Sequence, residues 1–271
     1  MPVIKDNISY RVSDVHAHVY PRKIAEKATQ AIGNFYDLEM DRVGLASTLY
    51  DEGKLAGIDR FLICSVATKL EQMRSITDFI ARTCSEYSPF LGLAAWHQDA
   101  EDIDGEFDYI MKHGLHGIKM HPDFQRFNID EPKMLDVYRE ATRRGLVVLF
   151  HTGDDRTDYS APSRLARVVD KIPEFTCIAA HLGGYRSWKE AAKVLHGSNV
   201  YVDTSSSLFY VSKEDAKNSI RHFGVEHTLF GTDFPMWTPA LELDRFFALD
   251  LSPEENKAIL YDNFARLFKL N

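Results

Sequence analysis

The run Asp14-Val15-His16-Ala17-His18 holds the densest chemistry in the chain. It follows Tyr10-Arg11-Val12, and β-branched Val15 separates Asp14 from His16, so it reads as a short strand. Strand residues two apart share a face, so His16 and His18 project together. Two imidazoles on one face can chelate a divalent metal. Such pairs also arise by chance, so the later ionisable residues matter. Lys119 and His121 close the apolar run 117–121, His151 ends 146–151, His181 ends 175–181, and Asp233 ends 228–233. Burying an unpaired histidine or aspartate costs several kcal/mol. Repeated placement of such groups at the ends of apolar runs is hard to explain as core filling.

Strands have to position these groups. The spacing predicts strands over 14–18, 60–66, 89–96, 117–121, 146–151, 175–181, 200–204 and 228–233. Helices are predicted between them, over 22–32, 47–56, 70–87, 103–113, 132–144, 163–171, 187–196, 213–223 and 240–249. A last helix starts at the capping-box sequence Ser252-Pro253-Glu254-Glu255, and 33–44 reads as irregular. Apolar strands alternating with helices imply a parallel sheet covered by helices. Eight such units in 271 residues suit one α/β domain over 1–271, a (β/α)8 TIM barrel with its active site at the C-terminal ends of the strands. A doubly wound open sheet is the alternative, but no Gly-x-Gly-x-x-Gly follows any strand and no P-loop is present.

The composition is that of a globular protein, 45% hydrophobic and 27% charged. A net charge of −8 argues against a broad nucleic-acid-binding face. No apolar run approaches the ~20 residues of a membrane span. The N-terminus lacks the apolar core of a signal peptide, so a cytoplasmic location is expected. Cys64 and Cys177 lie in apolar strand-like runs and read as reduced core thiols. No Cys-x-x-Cys pattern supports a thiolate zinc site.

Six motifs carry a family resemblance: Asp14-Val-His-Ala-His18 with Pro21, Gly117-Ile-Lys-Met-His-Pro122, Phe150-His-Thr-Gly153, Ala180-His-Leu-Gly-Gly184, Tyr201-Val-Asp-Thr-Ser205 and Leu229-Phe-Gly-Thr-Asp-Phe-Pro235. In type and order they resemble the amidohydrolase superfamily, in the branch that includes aminocarboxymuconate-semialdehyde decarboxylase. The resemblance implies a mononuclear site with His16, His18, His151 and Asp233 as metal ligands and His181 beside the metal's water. Three imidazoles and one carboxylate suit Zn2+, with Mn2+ or Fe2+ as alternatives. A bound water would have its pKa lowered towards about 7. Asp233 could accept its proton, and His181 could orient the water, donate to an oxyanion or protonate a leaving group.

Lys119 has several readings. It could be carbamylated and bridge two metals, as in binuclear relatives. The preferred readings are a lysine paired with an acid at the core edge, or a contact to a substrate carboxylate. His121 shares its face and reads as a substrate contact or a structural loop histidine. Asp14 reads as a residue that fixes backbone or a ligand histidine. Arg126, Arg156 and Arg186 are further candidates for a substrate carboxylate. Trp96, Tyr185, Trp188 and Trp237 could shape the pocket or simply pack.

The leading expectation is a metal-dependent hydrolase that uses metal-activated water on an amide, lactone or ester of a small molecule. The alternative is a metal-dependent non-oxidative decarboxylase of an unsaturated or aromatic acid. The same residues fit both, because fold and site do not fix the reaction. A non-catalytic barrel is a third reading, which loss of a ligand would favour. The stretch 35–50 and the loop near Phe209-Tyr210 could form a homodimer surface or cover the pocket.

Overall fold

The computed structural model describes residues 2–270. A hairpin that the sequence reading did not anticipate opens the chain. Val3–Lys5 (β1) pairs antiparallel with Ile8–Tyr10 (β2). Its two-residue turn, Asp6-Asn7, is left-handed at φ 52° and 62°, the twist that matches a hairpin and that Asp and Asn tolerate.

The expected strands follow. Ser13–His18 (β3), Arg60–Cys64 (β4) and Phe90–Gly92 (β5) form one parallel sheet. Ala94–Ala95 (β6), Gly117–Met120 (β7), Val147–Phe150 (β8), Cys177–Ala179 (β9), Val200–Asp203 (β10) and Thr228–Leu229 (β11) form a second. β5 and β6 are the two halves of the third predicted strand, interrupted at Leu93, whose N–H still bonds Ile63 O at 2.9 Å. The outer edges meet as well. Val15 N–H donates to Phe230 O at 2.9 Å and His18 N–H to Phe234 O at 2.7 Å, with a parallel bridge between Ala17 and Phe234. These bonds make the ring of the (β/α)8 barrel.

Alternation along the strands separates two cores. Leu62, Leu91, Leu93, Val147, Leu149 and Ile178 fill the barrel interior, and Phe264 and Phe268 pack against them from the last helix. Phe61, Ile63, Ile118, Val148 and Phe150 face outward to the helix layer. Fully burying one such side chain stabilises the fold by about 1.5–3 kcal/mol.

The helices are Ala25–Tyr36 (α1), Ala46–Ala56 (α2), Met73–Glu86 (α3), Ile103–Lys112 (α4), Pro122–Gln125 (α5) and Pro132–Arg144 (α6). They continue with Pro162–Lys171 (α7), Trp188–Val194 (α8), Lys213–Phe223 (α9), Pro239–Phe247 (α10), Pro253–Lys257 (α11) and Asn263–Leu267 (α12). Gly145 ends α6 with φ 68°, and Ser252 and Glu255 form the expected reciprocal cap. A π-helical turn, Ala258–Asp262, joins α11 to α12.

Helix α1 runs past the predicted stop at Gly33. That glycine is buried where a Cβ would lie 2.7 Å from Leu38 O, so it serves close packing and does not break the helix. Phe35 and Tyr36 thereby become helical. Trp96 is a core residue, stacked on Phe107 at 4.7 Å between ring centroids, and does not shape the pocket.

Candidate active site

The C-terminal ends of the strands carry His16 and His18 from β3, Lys119 from β7, His151 after β8, His181 after β9 and Asp233 after β11. All six are buried, so residues more than two hundred positions apart converge. The Nε2 atoms of His16 and His18 lie 3.2 Å apart. Asp233 Oδ1 is 3.6 Å from the first and 3.5 Å from the second. The ring of His181 stacks on that of His16 at 5.3 Å, and His151 meets His181 edge-on at 4.8 Å. His121 lies parallel to His151 at 4.0 Å.

Hydrogen bonds fix which ring nitrogens are free. His16 Nδ1 lies 3.1 Å from Asp203 Oδ2 and must donate to it, which leaves Nε2 as a lone pair. His181 Nδ1 donates to Ser205 O at 2.9 Å, leaving its Nε2 as a lone pair. His151 Nε2 has no hydrogen-bond partner but faces Asp154 Oδ2 at 3.7 Å and Asp123 Oδ2 at 4.0 Å. Two carboxylates favour a proton there, which frees Nδ1. That Nδ1 then faces the free Nε2 of His181 at 3.0 Å. Two lone pairs this close need a proton or a cation between them.

The donor set therefore suits a metal. Ligands bound tetrahedrally at ~2.0–2.1 Å stand about 3.3 Å apart, close to the 3.2–3.6 Å among His16, His18 and Asp233. His16, His18, Asp233 and His151 could hold such an ion. Lys119 Nζ sits 3.0 Å from His16 Nε2 and, among the described residues, has no carboxylate within ion-pair distance. The expected acid partner is absent, and burial pulls its pKa down. Burial and the neighbouring Lys119 charge also lower His16 to about 4, and burial lowers His181 to about 3. Burial raises Asp233, but His16 and the hydrogen bond from His18 outweigh it and hold the carboxyl well below its ordinary range.

The supporting contacts were mostly invisible in the sequence. Asp203 accepts from His16, from the His181 and Ser205 N–H groups at 3.0 and 3.1 Å, and from Ser205 Oγ at 2.6 Å. Its signal was its position at the end of strand seven. Ser206 Oγ donates to Asp233 Oδ2 at 2.6 Å and accepts from Trp237 Nε1 at 3.0 Å. Asp14 takes the N–H groups of His16 and Thr232, both at 3.0 Å, and so pins β3 to the loop bearing Asp233. Burial raises its pKa to about 7. His181 and Asp233 are left-handed at φ 63° and 59°, a strain of ~1–2 kcal/mol each that these bonds sustain. Gly153 and Gly184 let two site loops touch, since a Cβ on Gly153 would lie 2.5 Å from Gly184 Cα.

A cavity of about 780 Å³ opens above these groups, and His16, His18, Lys119, His151 and Asp233 line part of it. His121 lines it too. Its Nδ1 caps α5 by accepting from Phe124 N–H at 3.3 Å, and its Nε2 meets Tyr36 OH at 3.1 Å. Of the three arginines, Arg126 lines the cavity. Arg156 is tied to Asp154 and lies over the Phe35 ring at 3.8 Å, and Arg186 lies over Tyr210 at 4.4 Å.

A family model described as Amidohydrolase matches residues 13–270. No curated protein matches the chain. Similar solved structures include an uncharacterised TIM-barrel protein from Bordetella bronchiseptica, with TM-score 0.77, 16% identity, and coverage of 96% of this chain and 98% of that one. A dihydroxybenzoic acid decarboxylase from Polaromonas, solved with manganese, has TM-score 0.74 and 16% identity over 97% and 98% of the two chains. A probable 2-pyrone-4,6-dicarboxylic acid hydrolase from Acinetobacter baumannii has TM-score 0.72 and 14% identity over 96% and 100%.

Proposed function

Because the chain belongs to the amidohydrolase family, we propose that it is a metal-dependent hydrolase of an amide, lactone or ester bond in a small molecule. His16, His18, His151 and Asp233 would hold one divalent ion. The observation that carries this reading is the 3.2–3.6 Å spacing among His16 Nε2, His18 Nε2 and Asp233 Oδ1, which suits a single ion. Such an ion would polarise a carbonyl and would lower the pKa of a bound water towards about 7. Asp233 Oδ1 is the base that takes the proton from the attacking water, with Oδ2 anchored by Ser206. His181, held through its Nδ1 by Ser205 O, keeps Nε2 as a lone pair that can accept from the attacking water and orient it, and the proton taken by Asp233 is the one returned to the leaving atom. Lys119 supplies positive charge for the carbonyl oxygen or a substrate carboxylate. His121 and Tyr36 offer polar contacts on the cavity wall.

A second reading is non-oxidative decarboxylation, favoured by the buried Lys119 ammonium beside His16, which suits a carboxylate that leaves as carbon dioxide. The decarboxylase from Polaromonas supports that reading, and its manganese supports Mn2+ beside Zn2+ as the ion. The hydrolase from Acinetobacter baumannii supports the first. The test is a panel of lactones, amides, esters and hydroxylated aromatic acids on protein loaded with Zn2+ or Mn2+. Acid release without carbon dioxide is expected. Carbon dioxide release would replace hydrolysis with decarboxylation, and inactivity of the loaded protein across a broad panel would count against both.

A further inference from the structure

Helix α1 is built inside out for an ordinary surface helix. Its buried positions are the small residues Ala25, Thr29 and Gly33. Its larger apolar groups turn to the cavity. Ile24, Ala28, Ala31 and Phe35 fall at helical spacings of four, three and four and all line it. Ile24 and Phe35 remain 47% and 38% exposed. Helix α3 packs Met73, Thr77, Ile80 and Thr83 into the core, and its half-buried Ile76 and Phe79 also line the cavity. Large apolar groups left facing an accessible cavity gain free energy only when something apolar covers them.

Size and charge describe that occupant. Both Gln72 and Arg82 line the cavity, and ten residues of helix separate them by about 15 Å. Its histidines are buried, whereas Lys27, Arg82 and Arg126 are exposed at its mouth. Among the described residues, none of these three has a carboxylate within 4.0 Å, although most of the chain's arginines do. The acids that line the cavity are Asp123 and Asp233, both buried at its base. A chain of net charge −8 therefore presents an apolar channel rimmed by unpaired cations.

We propose that the substrate of this site carries, beyond the group that reacts at the histidines, an elongated apolar body ending in an anion. The α1 and α3 faces cover the body, and Lys27, Arg82 and Arg126 receive the anion. This inference rests on the functional reading above for the reacting end only.

The test is calorimetric binding of decanedioate, decanoate and butanedioate to the metal-loaded protein, with metal content measured on the same sample. Decanedioate is expected to bind about tenfold more tightly than either competitor. In the triple variant Lys27→Ala, Arg82→Ala, Arg126→Ala, its advantage over decanoate is expected to vanish. Butanedioate binding as tightly as decanedioate overturns the channel, and an unchanged advantage in the triple variant overturns the cationic rim. If no acid binds to protein holding one metal per chain, the substrate class is wrong while the reading of the metal site stands. If metal is never taken up, the functional reading fails, and the same titration on the metal-free protein still decides the channel. The three substitutions lie on exposed side chains, and an unchanged melting temperature checks that the fold is kept.

Discussion

Substituting Asp203 by Asn changes one atom in a buried site and tests how the metal ligands are oriented. Burial pushes this carboxyl up, but His16, His181 and Ser205 outweigh it and hold the pKa below its ordinary value. Oδ2 receives only His16 Nδ1–H, and Oδ1 receives two backbone N–H groups and the Ser205 hydroxyl. An Asn amide has two orientations. With its NH2 at the Oδ1 position, the N–H groups of His181 and Ser205 lose their acceptor, at ~1–3 kcal/mol each. With its NH2 facing His16, one group is affected, so this orientation wins. His16 must then accept at Nδ1 and carry its proton on Nε2, the atom needed by the metal. Restoring the other tautomer loses one buried hydrogen bond, ~1–3 kcal/mol, which weakens metal binding roughly 5- to 150-fold. Competition against a chromogenic chelator measures this directly, with thermal unfolding as the check on the fold. Binding within threefold of wild type, at an unchanged melting temperature, would refute the assigned tautomer of His16.

Other expected outcomes follow from single contacts. His181→Ala should retain the metal and lose about 10²- to 10⁴-fold in turnover; loss of metal together with activity would make it a ligand instead. Glu242 on α10 has Oε1 paired with Arg245 and a buried Oε2 without a partner, and burial raises its pKa from 4.5 to about 7. The folded state holds this proton more tightly than the unfolded chain, so stability falls as pH rises from about 4.5 to 7 and the full penalty, at most about 3 kcal/mol, applies above 7. Glu242→Gln should therefore lose less stability than wild type between pH 5 and pH 8 in urea unfolding; parallel profiles would contradict the assignment. Gly117→Ala at the start of β7 would place a Cβ 1.9 Å from Val147 O. Because that clash is with backbone in the strand ladder, a loss of about 3 kcal/mol is expected from the same urea measurement.

The barrel and the residues at its strand ends were legible because both arise from local patterns. An apolar run such as 146–151 closed by His151 announces a buried strand and the group it delivers. What escaped depended on contacts between distant segments. Asp203 stands out in the sequence only as part of the motif 201–205; its role shows when the fold brings it to His16, 187 positions away. Asp123 and Asp154 are unremarkable loop acids until both face His151 Nε2. The predicted helix ends at 32 and 33–44 reads as irregular; glycine costs helix stability, but close packing of Gly33 against Leu38 and Met40 outweighs that cost and the helix continues. Phe35 and Tyr36 thus line the cavity from the end of a helix and not from a loop. Of the two preferred readings of Lys119, an acid partner and a substrate-carboxylate contact, the first fails among the described residues, where the fold sets the ammonium beside His16 instead.

Metal content per chain tests the central claim most directly, by elemental analysis of the protein purified without chelator and of His16→Ala prepared in parallel. The account predicts about one Zn2+ or Mn2+ per wild-type chain and a loss of most of it in the variant, with the fold retained. No metal in the wild type, even after incubation with Zn2+ and Mn2+, would contradict it. A ratio near two would also contradict it and would make Lys119 a bridging ligand.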